Sequence, residues 1–484
     1  MTLVRGRIWD KRRGTPLEAR VQVIASSGEF RAPDQALLKV GSGEPFFYAG
    51  AGGFDVEVPG GPTQVVVERG TEYTPLRLAF NAPWTGGIDV DAPLERWIDL
   101  PAQGWYGGNT HVHYSEVESR PVDRLRLDPR VEDLPVFVVS VLQRREIPYA
   151  SNVFPIGRHA LSTDHHVIDI GEESRHNMEP WRIGLGHIML LNIRELVEPV
   201  SRGLLVDDAS PDYPPLVDAC DRARAQGGRV LWCHNGNGME APIAAALGRL
   251  DGLNLFDPYW IDPEYDVWYA LLNCGIRLPA STGSDWFVCS SNRVYVSLAA
   301  NQSFSYADWL AGLAAGRTLI TNGPTLRLQV EQHTPSNDVL DVGSSLRSVA
   351  ASIEWQWHAP IDVIELICDG VVAAAYSLAA DEARGVWRTT IDADTGWVAA
   401  RAFGQRRNSY GHTQWAHTSP VYLHARPHQD RVRAASTLFL ERIETASAWL
   451  AQKARFDEAS QRQRMIQLFD AGRSAYQALS SSSG

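Results

Sequence analysis

The hydrophobic pattern changes character three times along the chain. Residues 54–60, FDVEVPG, alternate apolar and acidic side chains, the period of a strand with one buried face. A Gly-Gly-Pro turn then leads into a second such run, TQVVVERG at 63–70. No helical period interrupts residues 1–101, and a small β-sandwich is the simplest way to bury one face of each sheet. From residue 102 to 325, short apolar runs alternate with helical segments. VFVVSVL (136–142) and HVIDIG (166–171) have the length and composition of strands. PPLVDACDRARAQGG (214–228) opens on proline and closes on glycine, as helices do, and runs straight into the strand RVLWCH (229–234). CGIRLPASTGSD (274–285) predicts another strand ending in a tight turn. SYADWLAGLAAGRTLITNG (305–323) begins with the capping pair Ser305 and Asp308, then predicts helix, Gly316 and strand. Such alternation argues for an α/β region with a parallel sheet or barrel.

Residues 326–425 turn all-β again: ASIEWQW (351–357) alternates, and VIELICDG and GWVAARAFG each combine an apolar run with glycine. Residues 426–484 form a charged helical tail, in which Leu438, Leu440, Ile443, Ala446 and Leu450 fall near one face, expected to pack on the body. The terminal SSSG is expected to be disordered.

Composition narrows the function. Hydrophobic and charged contents of 44% and 21% are those of a soluble globular protein, and the length allows about three domains. A net charge of −12 argues against nucleic acid or an anionic membrane as partner and leaves a small-molecule substrate. No run is long and apolar enough to span a membrane. The five cysteines are odd in number and lack CxxC spacing, and the N-terminus lacks a signal-peptide pattern. A reducing, cytoplasmic location is expected.

The histidines carry the chemistry. Of 14, eight lie between residues 111 and 234. In GWYGGNTHVHY, His111 and His113 sit two apart behind a glycine turn; on a strand they share one face and can converge on an ion. Taken alone, the pair reads more readily as two half-exposed strand histidines than as ligands. Glu172 and Glu173 follow an apolar run, where α/β barrels place chemistry, although two solvated loop acids would look the same. His234 ends a buried strand, and Asp285 follows another, where an N-capping role is the alternative. His187 precedes its apolar run and so falls at the apparent wrong end of a strand. Nitrogen and carboxylate ligands without thiolate suit zinc, manganese or iron, and such an ion lowers the pKa of a bound water to about 7.

GWYGGNTHVH, GEES, GHIMLLN, CHN and TGSD, in this order, resemble the polymerase-and-histidinol-phosphatase (PHP) superfamily, and within it the carbaryl-hydrolase-type metallohydrolases. LAAGRTLITNGP (313–324) and AHTSPVYLHA (416–425) also match segments typical of that group, and the N-terminal region resembles the carboxypeptidase-regulatory-like β-sandwich. The resemblance implies a distorted (β/α)7 barrel over 102–325, flanked by β-sandwiches at 1–101 and 326–425. It implies that His111, His113 and Asp285 hold one ion, and that Glu172 bridges to a second held by His187 and His234. Phe287 stands where the family carries a further histidine, and the family's TDH is missing near VVSVLQ (138–143). One or two divalent ions are therefore expected rather than three. Asn109 and Asn235 replace a common aspartate and a common proline.

The implied reaction is metal-assisted hydrolysis of an ester, carbamate or amide, with Asp285 as first and Glu173 as second candidate proton shuttle. Trp181, Trp232, Trp260, Trp268 and Trp286 hint at an apolar substrate, although core packing is the commoner use of tryptophan. A phosphoesterase would need cations, for which Arg145, Arg158, Arg175 and Arg293 are available. A reading of another class is a non-catalytic carbohydrate- or protein-binding protein with a decayed metal site.

Overall fold

The computed structural model describes residues 1–145, 154–179, 182–256, 264–299, 302–340, 347–425 and 427–481. Near the N-terminus, Thr2–Asp10 pairs antiparallel with Phe54–Val58 and parallel with Gly86–Leu94. A second sheet places Ala19–Ile24 between Phe47–Ala49 and Gly61–Glu68, with Leu76–Ala82 beyond. Val4, Ile8 and Val56 of the first sheet meet Val21, Val23, Val65 and Val67 of the second in one apolar core. Phe54–Val58 shows strict buried–exposed alternation, as its sequence requires.

The α/β region closes into a ring of strands. Trp105–His113, Val136–Val141 and Val167–Glu179 run parallel, side by side. Arg182–Leu191 then returns antiparallel, and Arg229–Trp232, antiparallel to it in turn, restores the original direction. Gly252–Asn254 and Ala280–Ser281 continue in parallel, and Asp285–Trp286 pairs in parallel with Trp105–His113. Strict strand–helix alternation therefore fails, most consequentially at the reversed strand Arg182–Leu191. Only residues 180 and 181 separate Val167–Glu179 from Arg182–Leu191, too few for a parallel crossover, which needs a dozen or more. Leu216–Ala225 and Tyr306–Ala314 are helices as their punctuation predicts; Ser305 caps the second by accepting a hydrogen bond from Asp308 N at 3.1 Å. The run 274–285 is not one strand: only Ala280–Ser281 and Asp285–Trp286 pair, with the glycine turn between them.

The expected boundary near residue 326 does not interrupt the sheet. Thr318–Thr321 hydrogen-bonds directly to Thr413–Thr418, joining the ring to the C-terminal strands. Thr325–Val330, Ser348–Gln356 and Arg384–Asp392 form a separate antiparallel sheet beside it. The tail is two helices, Gln429–Gln452 and Ala459–Ser481. The first buries Val432, Ala435, Phe439, Ile443, Ala446 and Leu450, so its apolar stripe passes through Phe439 rather than through Leu438 and Leu440, which are only partly buried. Phe439 and Tyr476 stack with ring centroids 4.9 Å apart, and both belong to the same core as Trp232 and Trp268 of the ring. Residues 482–484 of the SSSG end lie outside the described residues. No helix among the described residues is long and apolar enough to cross a membrane.

One buried acid away from the histidines gives a pH test of the packing. Glu240 is fully buried and accepts a hydrogen bond from Val217 N at 3.1 Å, at the start of the Leu216–Ala225 helix. Burial pushes its carboxyl up to about 7, against the opposing pull of the Val217 N–H and Arg202. The folded state thus holds this proton more tightly than the unfolded chain, so stability falls as pH rises from the ordinary glutamate value through about 7. Glu240→Gln keeps an acceptor for Val217 and removes the cost of ionisation. Its melting temperature should exceed wild type by a margin that widens between about pH 5 and pH 8, equivalent to roughly 1–3 kcal/mol at the upper end. A margin independent of pH would refute this.

Candidate metal centre

His111 and His113 lie at the end of the Trp105–His113 strand, two residues apart on one face, with ring centroids 4.9 Å apart. Their Nε2 atoms approach to 3.0 Å. The neighbouring segment fits closely: Ser284 N donates to His111 O (3.0 Å) and Phe287 N to His113 O (2.8 Å). A Cβ at Gly283 would fall 2.4 Å from His111 Cβ, so only glycine lets this turn approach. Asn109 ties the two segments together, its Oδ1 accepting from His111 N and Ser284 N, both at 3.2 Å, and its amide reaching Ser284 Oγ. Asp285 is thereby set beside both rings, with Oδ1 3.3 Å from His111 Nε2 and 3.6 Å from His113 Nε2.

Glu173 stands at the centre of the arrangement. Its Oε1 lies 3.0 Å from His187 Nδ1 and 3.8 Å from each of His111 Nε2 and His234 Nε2. Its Oε2 lies 3.2 Å from His113 Nε2 and 2.9 Å from Arg175 Nη1. Burial alone would raise this carboxyl, but the Arg175 guanidinium outweighs it and holds it well below the usual range, ionised. Glu172, expected as the bridging ligand, is not in the group. The Val167–Glu179 strand runs through both acids, so consecutive side chains face opposite sides. Glu172 points away, accepts from Val197 N at 2.6 Å, and is pushed by burial up to about 7.

His187, at the apparent wrong end of its run, is in the cluster because its strand is the reversed one: the register Arg175↔His187 carries it to the same end as Glu173. His234 Nε2 is 3.0 Å from His187 Nδ1. Two groups of ligand atoms result, His111 with His113 and Asp285, and Glu173 with His187 and His234, each with its atoms mutually within 4.8 Å. A third group links them: His111, Glu173 and Cys233. A lone cysteine without CxxC spacing carries no metal signature in sequence, so for Cys233 the clue is its place next to His234.

Two hydrogen bonds decide what these rings offer. His113 Nδ1 is 2.8 Å from Ser140 O, and a carbonyl only accepts, so Nδ1 carries the hydrogen and Nε2 is the ring's lone-pair position, turned toward the cluster. His187 Nε2 donates to Asn177 Oδ1 at 2.6 Å, which leaves the lone pair on Nδ1 facing Glu173. Burial and Arg175 push His187 down to about 3, keeping it neutral. Acceptors thus face an ionised carboxylate at about 3 Å from several sides. Such an arrangement repels itself unless a cation sits among the atoms, and nitrogens this close suit ions bonded at about 2.0–2.1 Å. The donor set therefore fits divalent metal.

The backbone is strained here as well. His234, Asn235, Asp285 and Phe287 all have left-handed φ, from 51° to 62°, at about 1–3 kcal/mol each for non-glycine residues. Asn235 secures its turn by accepting from Phe256 N at 2.7 Å. Phe287 packs on Tyr114 under the Arg124 guanidinium and supplies no donor atom for an ion. Of the four arginines named from sequence, Arg175 alone reaches the cluster; Arg293 is buried against Glu132, Arg145 pairs with Asp208, and Arg158 is exposed. Among the tryptophans, Trp232 and Trp268 are core, Trp286 is half-buried with its ring 5.3 Å from that of His113, and Trp181 and Trp260 lie outside the described residues.

No protein-family model, curated protein or solved structure matches the chain.

Proposed function

We propose that the protein is a metal-dependent hydrolase of the PHP type, acting on an ester, carbamate or amide through one or two divalent ions of zinc, manganese or iron. The observation that carries this reading is the meeting of His111, His113, Glu173, His187, His234 and Asp285, from five separate segments, at one end of a ring of mostly parallel strands. The order of their motifs and the barrel-like ring are both what the PHP resemblance implies. An ion bound there would lower the pKa of a water to about 7 and polarise a substrate oxygen.

The chain's own groups divide the remaining work. Glu173, touching both ligand groups and fixed by Arg175, serves as bridging ligand rather than proton shuttle. Asp285 Oδ1, on the histidine pair and in a strained backbone position, is the group to accept the water's proton and pass it to the leaving group. Ser140 O and Asn177 Oδ1 hold two rings in the tautomer that binds. Trp286 gives the rim an apolar face beside His113.

Of the four candidate arginines only Arg175 reaches the cluster among the described residues, and it is already committed to Glu173, which favours a carbonyl over a phosphoryl substrate. Loaded with zinc or manganese, the protein should hydrolyse a naphthyl ester or carbamate faster than a nitrophenyl phosphodiester, and chelator should abolish turnover. Preferential turnover of the phosphodiester would move the reading to a phosphoesterase. Turnover of neither, with no stoichiometric metal, would favour a binding protein.

A further inference from the structure

We infer that Cys233 is a thiolate ligand of the metal centre, so that the site is a mixed nitrogen, oxygen and sulfur site rather than the nitrogen–carboxylate site its motifs suggest. This rests on the metal-centre reading above and deepens it.

The geometry brings Cys233 Sγ, a His111 ring nitrogen and a Glu173 carboxylate oxygen within 4.8 Å of one another. All three residues are buried. His111 belongs also to the group with Asp285, and Glu173 to the group with His187 and His234, so the sulfur lies at the junction of the two. On a regular strand Cys233 and His234 would face opposite sides. They do not, because the strand ends at Trp232 and the backbone turns left-handed at His234 (φ 54°) and Asn235 (φ 58°). Cys233 N still donates to His187 O at 3.0 Å, which anchors the residue just before the turn. The strained turn therefore has a chemical consequence: two consecutive side chains serve one centre. The other buried cysteines do not share this place. Cys220 is on the Leu216–Ala225 helix in the apolar core, Cys274 faces Ser436 of the tail, and Cys368 ends a C-terminal strand.

Sulfur changes metal preference. A thiolate favours zinc, cadmium or cobalt over manganese and magnesium, which prefer oxygen. The full chain loaded with Co(II) should show visible d–d bands together with a near-ultraviolet sulfur-to-cobalt charge-transfer band. Cys233→Ser should lose the charge-transfer band, keep the d–d bands, and lose cadmium affinity relative to manganese by about tenfold or more. A variant with the other four cysteines replaced by serine and Cys233 kept should retain the band, which holds the test open if Cys233→Ser fails to fold. Cobalt d–d bands in the wild type without the sulfur band would overturn this inference and leave the metal centre standing. Persistence of the sulfur band in folded Cys233→Ser would overturn it too. Failure to bind cobalt at all would remove both.

Discussion

Glu173→Gln should strip the site of metal and hydrolytic activity, while Glu172→Gln leaves both nearly intact. The two residues are neighbours with the same side chain, yet their strand turns them to opposite faces. Glu173 touches His113, His187 and Arg175 at 3.2, 3.0 and 2.9 Å and is held ionised. The amide has the same shape but no charge, so both ligand groups lose their shared anion and Arg175 is left buried without its partner. Metal affinity should fall by at least about 10²-fold, beyond the 10–100-fold typical of outer-shell partners, and kcat/KM by on the order of 10²–10³. Glu172 is bonded to Val197 N and pushed by burial up to about 7, so an amide there keeps the acceptor and replaces a charge that burial already disfavours. Titration of each apoprotein with zinc, read by calorimetry, separates them. Loss of metal on changing Glu172 and not Glu173 would contradict the assignment.

Arg20→Met should cost roughly 3–5 kcal/mol of stability, the scale for removing one member of a buried ion network. Arg20 is 3% exposed and lies 3.0 Å from both Glu68 and Glu132. Its guanidinium also lies 4.7 Å from the centre of the Tyr410 ring. Glu132 in turn meets Arg293 at 3.3 Å and accepts from Tyr410 OH at 3.1 Å. The network joins the N-terminal sandwich, the ring and the C-terminal strands. Without Arg20 two carboxylates remain buried with one fewer cation, and the melting temperature should drop by several degrees. Arg20→Lys should recover only part, because one ammonium does not reproduce the guanidinium fork. A melting temperature unchanged in Arg20→Met would show that the junction is not held by these charges.

Much of this arrangement is legible in the sequence where local chemistry decides it. The alternation in residues 54–58, the Ser305 cap and the helix ending before Gly227 follow from period and capping alone, and all appear in the structure. His111 and His113 converge because spacing by two fixes one face of a strand. Three features needed tertiary information. The phase of the Val167–Glu179 strand, which selects Glu173 over Glu172, is set by pairing with Val136–Val141 and not by the acids themselves. The reversed direction of Arg182–Leu191, which brings His187 in, is set by its antiparallel pairing with Val167–Glu179 and not by the local pattern around His187. The left-handed turn at His234, which sets Cys233 beside His111 and Glu173, involves no glycine at the decisive residue and so leaves no trace in the pattern.

The most direct test of the centre is metal content. Purified protein, dialysed to equilibrium against zinc or manganese and then freed of excess, is expected to retain one or two ions per chain by elemental analysis, and His234→Ala to lose at least one while remaining folded. A folded wild-type chain that retains no stoichiometric ion under any of these conditions would contradict the metal centre and the hydrolase built on it.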